Sequence, residues 1–512
     1  MKKYKILTAF VVIFLPLFID GCKSLTDGYS TDPVNITNPS VIQDSHYLSG
    51  LQVNVIGAYE ADIARQTGMW VGYFSGDQRQ YASLADYITS SGDYNTEWIT
   101  IYSGVLFNAK ILKKKATSEG NLVTVGITQI MEAMVLGLAA DLWGDVPNSD
   151  ALEYPLVGVA TAAQAHPKYD PQSTVYAAVQ AKLDSALTNL AGAGNSDGDV
   201  FLGGSVTNYA LVAHTLKARY YLHIRDYTDA IAQASQGVGT GTNDNTTDMM
   251  APHGPNYLAN FNLYYSFMNY DRAGYMGGGA YCPTLIDPNL ANNHNVGGRT
   301  DETARFNYLY LVHPEIYNND AYDPNYICAF DWGSPVGEDG FFGGVTYFPL
   351  VTFAENQLIW AEALLKQSSP DFNNALGALN TLRAFYNNGN PFVVPGSTTS
   401  TSYTSLSHAY IAYLASDFNS GGIMNTNNTS PNAALLREIL TEKYISLIGQ
   451  IESFNDLRRT GNYLNLPILP TGKTQYPQRL LYPQIEINTN AANVPTSNVG
   501  LFNPVTSFST AY

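Results

Sequence analysis

Charge is scarce in this chain, and positive charge scarcest. Charged residues make up 13 % of the 512, and 26 Lys and Arg face 43 Asp and Glu. The formal net charge is -17 and the sequence pI about 4.8. That balance argues against a nucleic-acid partner held through its phosphates, and against a basic patch gripping anionic lipid. Cysteine is scarcer still: Cys22, Cys282 and Cys328 are the only three, too few for a disulfide framework. Cys282 and Cys328 either pair across Gly-rich loops or stay buried as free thiols. No Cys or His cluster has metal-site spacing. Catalytic signatures are missing as well, with no G-x-S-x-G elbow and no H-E-x-x-H. The PTGKT at 470–474 has Pro467 where a phosphate-binding loop needs glycine. The Gly-rich stretches 191–198 and 237–242 follow helical patterns, not strands, and read as linkers. Two acidic stretches, 195–199 and 243–248, have the oxygen-rich composition of calcium loops and of ordinary solvated loops alike. No cofactor is expected from this sequence.

Long apolar runs are also few. Ile6–Phe18 is thirteen residues, short for a span of about 17–25. Lys2, Lys3 and Lys5 precede it, so residues 1–21 read as a lipoprotein export signal. Ile19-Asp20-Gly21-Cys22 has the form of a lipobox, although Asp20 occupies a place usually held by a small uncharged residue. Cys22 is then the residue acylated, anchoring the chain to a bilayer. Residues 22–43, polar with Pro33 and Pro39, read as an extended tether. No later run is expected to span a membrane, and 44–512 reads as a single domain.

What the chain has is tyrosine and glycine, 37 and 43 of them. Helical spacing of apolar residues predicts helices at 48–63, from Trp98, at 121–142, and after 171 with Asp170 as N-cap and Pro171 first. Segments 215–235 and 358–380 repeat one plan. Ala218 and Ala361 lie in the first helix of each, Asp226-Tyr227 and Asp371-Phe372 at the turn, and Ala230 and Ala375 three residues beyond each aromatic. Small residues on facing helices with an aromatic at the crossing are the logic of a tetratricopeptide hairpin. The fold class expected is mostly α, a scaffold of such hairpins with long aromatic, Gly-rich loop excursions at about 240–350 and 388–432. The second is broken by a short helix near 408–414. Residues 435–462 crowd Arg437, Glu438, Glu442, Lys443, Glu452, Asp456, Arg458 and Arg459 around an apolar stripe. This predicts a helix ending near Gly449, then a shorter one ending before Gly461, joined by Arg–carboxylate pairs. Arg458 and Arg459 are expected to tie the helices to a Pro-rich C-terminal wrap through Glu452, Asp456 or Glu442.

The run EKYISLIGQIESFNDLRRTGNY, followed by PQRLLYPQIEINTNAAN, resembles the C-terminal signature of the SusD/RagB family. Further anchors come in order along the chain: Cys22, Trp98-x-x-x-Tyr102 leading to Asn108, ADLWGDVPNSDAL, PKYDPQSTVYAAV, LKARYYLHIRDY and ENQLIWAEALL. ADLWGDVP and PKYDPQ look most like the SusD-like branch with a distinct N-terminal half. The resemblance implies a helical fold with four tetratricopeptide-like hairpins and a non-catalytic lipoprotein of the outer membrane. It also implies a lid over a SusC-like, TonB-dependent transporter, and oligosaccharides or, in some branches, peptides held on a loop-built aromatic surface. The family offers a region, not matched contacts. Surface display in this group goes with acidic residues after the lipidated Cys, and Lys23-Ser24-Leu25-Thr26 departs from that.

Pyranose rings stack their C–H faces on flat aromatics, and their hydroxyls need amide or carboxylate partners. By that criterion the candidates are Trp70, Tyr73, Gln78, Tyr81 and Trp98 from the loop-like stretch 67–98. Tyr265, Tyr275, Trp332 and Phe341 join them from the central excursion. Trp98 suits core and ligand equally. The leading reading is a glycan-binding lipoprotein that feeds a transporter. The alternatives are an oligopeptide-binding one, a helical-repeat adaptor, or a glycoside hydrolase whose paired carboxylates need only be close in space.

Overall fold

Three- and four-residue apolar spacing becomes helix at nearly every expected place. The computed structural model describes residues 42–152, 161, 165–256, 259–291, 293–312, 322–324, 340–389, 406–509 and 512. Cys22, Cys328, Trp332 and the export signal lie outside the described residues. Numbering the α-helices of eight residues or more gives α1 Asp44–Glu60, α2 Asp62–Trp70, α3 Asn108–Glu119, α4 Leu122–Trp143 and α5 Gln172–Leu190. They continue as α6 Val206–His223, α7 Tyr227–Ala234, α8 Phe353–Lys366, α9 Phe372–Asn387, α10 Pro431–Ser446 and α11 Glu452–Arg459. Successive helices pack side by side from α3 to α9, and α10 packs on α8. This is a tetratricopeptide-like array.

Both anticipated hairpins form. The Asp226 carboxylate caps α7 by accepting from Asp229 N at 3.1 Å, and Asp371 caps α9 through Asn374 N at 3.1 Å. Ala218, Ala230, Ala234 and Ala363, all buried, close a small core with Leu222 and Ile359 between the two hairpins. Small side chains let these backbones approach. Gly137 does the same in α4, where a Cβ would fall 2.1 Å from the Tyr220 ring. By length and composition α4 is apolar enough to cross a membrane, contrary to the sequence expectation. Its apolar window is 89 % buried among the other helices, which makes it the core helix.

Several boundaries move. The stretch from 67 is not a loop: α2 runs to Trp70, a short helix covers Arg79–Ala85, and Asn95–Ile99 leads through a π-helical turn into α3. Asp170 does not cap α5. Its carboxylate instead accepts from the backbone N–H groups of Asn148 and Ser149, while Asp145 caps Gln172 N at 2.9 Å. Pro171 precedes α5 as its N-cap residue. The helix expected near 408–414 is absent. Ala409–Tyr410 pairs as a strand with Thr300–Asp301, because buried Arg383 of α9 draws both segments in through Ile411 O and Arg299 O. The Pro-rich end does wrap the core: Leu480 N donates to Leu142 O, and Trp143 Nε1 to Leu481 O.

Most charges of 435–462 are buried and paired, whereas Arg437 is exposed and lies over the Tyr463 ring. Arg219 grips Glu355 at 2.6 Å, and His223 sits between Asp141 at 2.8 Å and Glu452 at 3.1 Å. Arg459 holds Glu362 at 2.5 Å and Asp456 at 2.5 Å, with Lys443 3.5 Å from Glu362. Arg305 bridges Glu302 and Glu442, and His294 lies between Glu302 and Glu438. Arg458 departs from expectation. Among the described residues it meets no carboxylate and donates to Asp141 O and Gln478 O, tying α4 to the wrap through backbone carbonyls.

Two of these groups, Asp141–His223–Glu452 and His294–Glu302–Glu442, bring their donor atoms as close together as a metal site would. Their histidines argue otherwise. Burial opposes the charge on each, but the facing carboxylates outweigh it and lift His223 to about 9 and His294 to about 10. Each ring has a carboxylate at both nitrogens, which favours its imidazolium form, and an arginine joins each group, Arg219 beside Glu452 and Arg305 between Glu302 and Glu442, as in an ion-pair network.

Candidate functional site

The central excursion is not one long loop. Among the described residues it is cut into short helices and strands of two to four residues. Ser75–Gly76 pairs antiparallel with Met276–Gly277, and Asp77 N donates to Tyr275 O at 2.9 Å. This ladder brings 75–81 against 261–277 and gathers four candidates, Gln78, Tyr81, Tyr265 and Tyr275. The Tyr81 ring lies 4.6 Å from Phe267 and 6.4 Å from Tyr275. Tyr265 meets Phe261 at 5.1 Å and Tyr270 at 5.9 Å. Glycine is required beneath it, since a Cβ on Gly344 would come within 2.9 Å of the Tyr265 ring. Arg65 of α2 lies 4.4 Å over the Phe267 ring, donates to Tyr81 Oη at 3.1 Å and pairs with Asp62 at 2.5 Å. The cluster thus has a rigid floor.

Tyr81, Tyr265 and Phe267 are that floor, buried to within a few per cent. Tyr270 is 51 % exposed and Tyr275 half-buried, while Gln78, Arg79, Gln80, Asp271 and Arg272 are exposed around them. The Arg272 guanidinium stands 6.0 Å over the Tyr275 ring. Arg79 adopts φ +52°, a left-handed conformation uncommon outside glycine, at the start of the short helix that carries Tyr81. The result is an aromatic surface with a rim of amides and charges, which can stack a ring and hydrogen-bond its substituents.

The remaining candidates go elsewhere. Trp70 is 2 % exposed, donates to Leu84 O and packs edge-on to Tyr87 and Phe454. Tyr73 is fully buried, stacked 4.8 Å from Tyr444. Trp70 sits in the core as the last residue of α2, and Tyr73 in the turn that follows it, where its hydroxyl donates to Tyr444 O. Phe341, half-buried, meets Tyr308 and Phe342 edge-on. Trp98, 4 % exposed, packs with Tyr102 at 4.5 Å and Trp143 at 5.3 Å. Its edge reaches a separate cavity of about 240 Å³ shared with Tyr102, Pro147, Leu152 and Glu486. Sequence reading missed Phe267, Tyr270 and Arg272. The signal available was a tyrosine set among Asn269, Asp271 and Arg272 in an otherwise apolar run.

In the two acidic stretches, Asp199 and Asp248 are committed to structure. The Asp199 carboxylate accepts from the backbone of Leu202 and Gly204, and Asp248 from Phe353 N. Cys282 is a buried free thiol, pushed up to about 12 by burial. Burial also lifts Glu97 well above the ordinary carboxylate range, with Asp62 adding to the shift. Asp62 itself is held low, since Arg65 outweighs its own burial. One raised and one lowered carboxyl is the split an acid–base pair needs, but Glu97 is buried away from the exposed rim.

A helical-repeat scaffold that holds a rigid aromatic surface on its loops is an architecture for binding. The comparisons give it a family. Residues 36–289 match the SusD-like family model described as starch-binding and associating with the outer membrane. A SusD/RagB family protein from Bacteroides thetaiotaomicron superposes with TM-score 0.64 at 21 % identity, covering 92 % of this chain and 100 % of that one. A chitin-binding SusD homolog from Flavobacterium johnsoniae superposes with TM-score 0.62 at 15 % identity, covering 91 % and 99 %. No curated protein sequence matches the chain. Residues 36–289 are thus SusD-like, and the chain as a whole has the fold of SusD/RagB structures.

Proposed function

We propose that the protein is a non-catalytic lipoprotein that binds oligosaccharide or polysaccharide fragments and passes them to a SusC-like, TonB-dependent transporter. The observation that carries the reading is the aromatic cluster itself. Exposed Tyr270 rests on Phe261 and Tyr265, half-buried Tyr275 packs against Tyr81 beneath the Arg272 guanidinium, and Gln78 and Asp271 are exposed next to them in the chain. Flat rings beside amide and charged groups suit the amphipathic faces of pyranoses. The starch-binding description of the family model and the chitin-binding relative support a glycan over a peptide. Gel retardation against a panel of polysaccharides and peptides tests this. Retardation by at least one glycan is expected. Retardation by peptides alone would establish the oligopeptide reading instead.

Anchoring through Cys22 places the protein on the outer membrane beside its transporter. Tagged full-length chain extracted from that membrane is expected to bring a TonB-dependent barrel with it, and Cys22→Ala to move the chain into the soluble envelope fraction. A C22A chain that stays tightly membrane-bound rejects the anchor.

A further inference from the structure

The Pro-rich wrap leaves a hollow where it crosses the end of α4. Gly144 and Asp145 at that end, Arg479 and Tyr482 of the wrap, and the chain between Pro495 and Ser509 line a cavity of about 440 Å³. Small-molecule sites occupy about 300–1,000 Å³. The floor is rigid. Arg479 and Tyr482 are buried, Arg479 Nη2 donates to Trp143 O, and the Tyr482 hydroxyl donates to Asp145 O at 2.8 Å. The guanidinium stands 5.0 Å over the Tyr482 ring. Gly144 takes φ +83°, where a side chain would be strained, so the turn leaves the hollow open. Arg479 carries more donors than the protein uses: Nη1 reaches Asn498 O only at 3.4 Å, and the buried Nε has no acceptor. Other groups on the wall are also spare. Asp145 spends one carboxylate oxygen on Gln172 N at 2.9 Å, and Asn503 its amide oxygen on Gly500 N at 2.9 Å. The second Asp145 oxygen, Asn503 Nδ2, the Asn498 amide and the Ser497 and Thr506 hydroxyls make no hydrogen bond among the described residues.

One acid and one base stand among the lining residues, and Thr510 and Ala511, which follow Ser509, carry no charge. An ion of either sign would meet a group of its own sign. A hydroxyl, by contrast, donates to Asp145 and accepts from Arg479. Pro495, Val499 and Pro504 add apolar surface beside these groups. We propose that this cavity is a second sugar site, sharing no residue with the aromatic surface, that holds one or two neutral pyranose units by their hydroxyls. The choice of a sugar over another polyol rests on the glycan reading above; recognition of a neutral polyhydroxylated ligand does not.

Equilibrium dialysis of the full chain against labelled maltotriose and chitotriose counts the sites. Two molecules of at least one trisaccharide are expected per chain at saturation. Thr506→Trp, which fills the cavity from its exposed rim, should leave one. Asn498→Gly, suited to the φ +57° of that position, and Thr506→Val should each weaken this site about threefold or more. Neither should move the melting temperature, since the side chains removed make no hydrogen bond among the described residues. Arg479 is left in place, because its loss strands Trp143 O. Tyr270→Ala should weaken the other site and leave this one intact, which separates failure here from failure of the aromatic surface. A single trisaccharide per chain, weakened in Tyr270→Ala, overturns the proposal and leaves the aromatic surface standing. An unchanged count in Thr506→Trp also overturns it. Absence of any bound trisaccharide does the same, and retardation by a polysaccharide then decides the glycan reading separately. Displacement of the second trisaccharide by inorganic sulfate would make the cavity an anion site and overturn the neutral-sugar assignment.

Discussion

Arg459→Ala is expected to destabilise the protein by roughly 3–5 kcal/mol, the range for breaking a buried ion pair by removing one partner. Arg459 meets Glu362 through both terminal nitrogens, at 2.5 and 2.6 Å, and both residues are almost fully buried. Without the guanidinium, Glu362 keeps only Lys443 at 3.5 Å and the Tyr512 hydroxyl at 2.7 Å. Glu362 belongs to α8 and Arg459 to α11, so the loss separates the second hairpin from the C-terminal helices. Urea unfolding measures the change. Replacing both partners together, Arg459→Leu with Glu362→Leu, should cost less than R459A alone, because no charge is then stranded. Equal or greater loss in the double variant would show that geometry, not charge, is what matters there.

Stability should also fall as pH rises above neutrality. His223 and His294 titrate at about 9 and 10 in the folded protein, from an ordinary value of 6.5. Below pH 6.5 both rings are protonated whether the chain is folded or not, and the networks contribute fully. Above it, the unfolded chain releases its protons while the folded chain keeps them, so stability declines until the folded values are passed. The slope approaches ~1.4 kcal/mol per pH unit for each ring, for a total on the order of several kcal/mol. On the acid side, burial opposes ionisation of Glu362, but Arg459 and Lys443 outweigh it and hold the carboxyl at about 2. That contribution is complete above the ordinary value of 4.5 and is lost as pH falls towards 2. The maximum therefore lies between about pH 4.5 and 6.5. Urea midpoints at pH 6 and pH 9 check it, and a flat profile over that interval would contradict the imidazolium assignment.

Much of the scaffold was legible because its signals are local. Apolar spacing, the Asp226 and Asp371 caps and the paired alanines each specify helix or hairpin within a few residues. The charge-dense segment was legible for a different reason: in a chain so poor in charge, a cluster beside an apolar stripe has to be paired. Asp456 was legible as a partner of Arg459, but Arg219, Glu355, Glu362 and Arg305 come from distant helices and were not. Nor could sequence tell that Arg458 would satisfy itself on carbonyls. The binding surface was half legible. Its region followed from composition, but which rings face outward depends on the pairing of Ser75–Gly76 with Met276–Gly277, a contact about two hundred residues apart. That ladder sets buried Tyr81 against Tyr275, while Tyr270 lies exposed against Tyr265 and Phe261. Trp70 read as a ligand contact only while its segment was taken for a loop, whereas Tyr73 lies in a turn that packs into the core.

The most direct measurement is a titration of the protein and its Tyr270→Ala variant with whichever glycan retards the unaltered chain, followed by an assay for new reducing ends. Tyr270 is half exposed and rests on Phe261 and Tyr265, so its loss should leave the melting temperature unchanged. Loss of one stacking ring, about 1–1.5 kcal/mol, predicts binding weakened about tenfold, with no reducing ends formed by either protein. Unchanged affinity in Y270A would move the binding surface elsewhere, and reducing ends released by the unaltered chain would make it an enzyme.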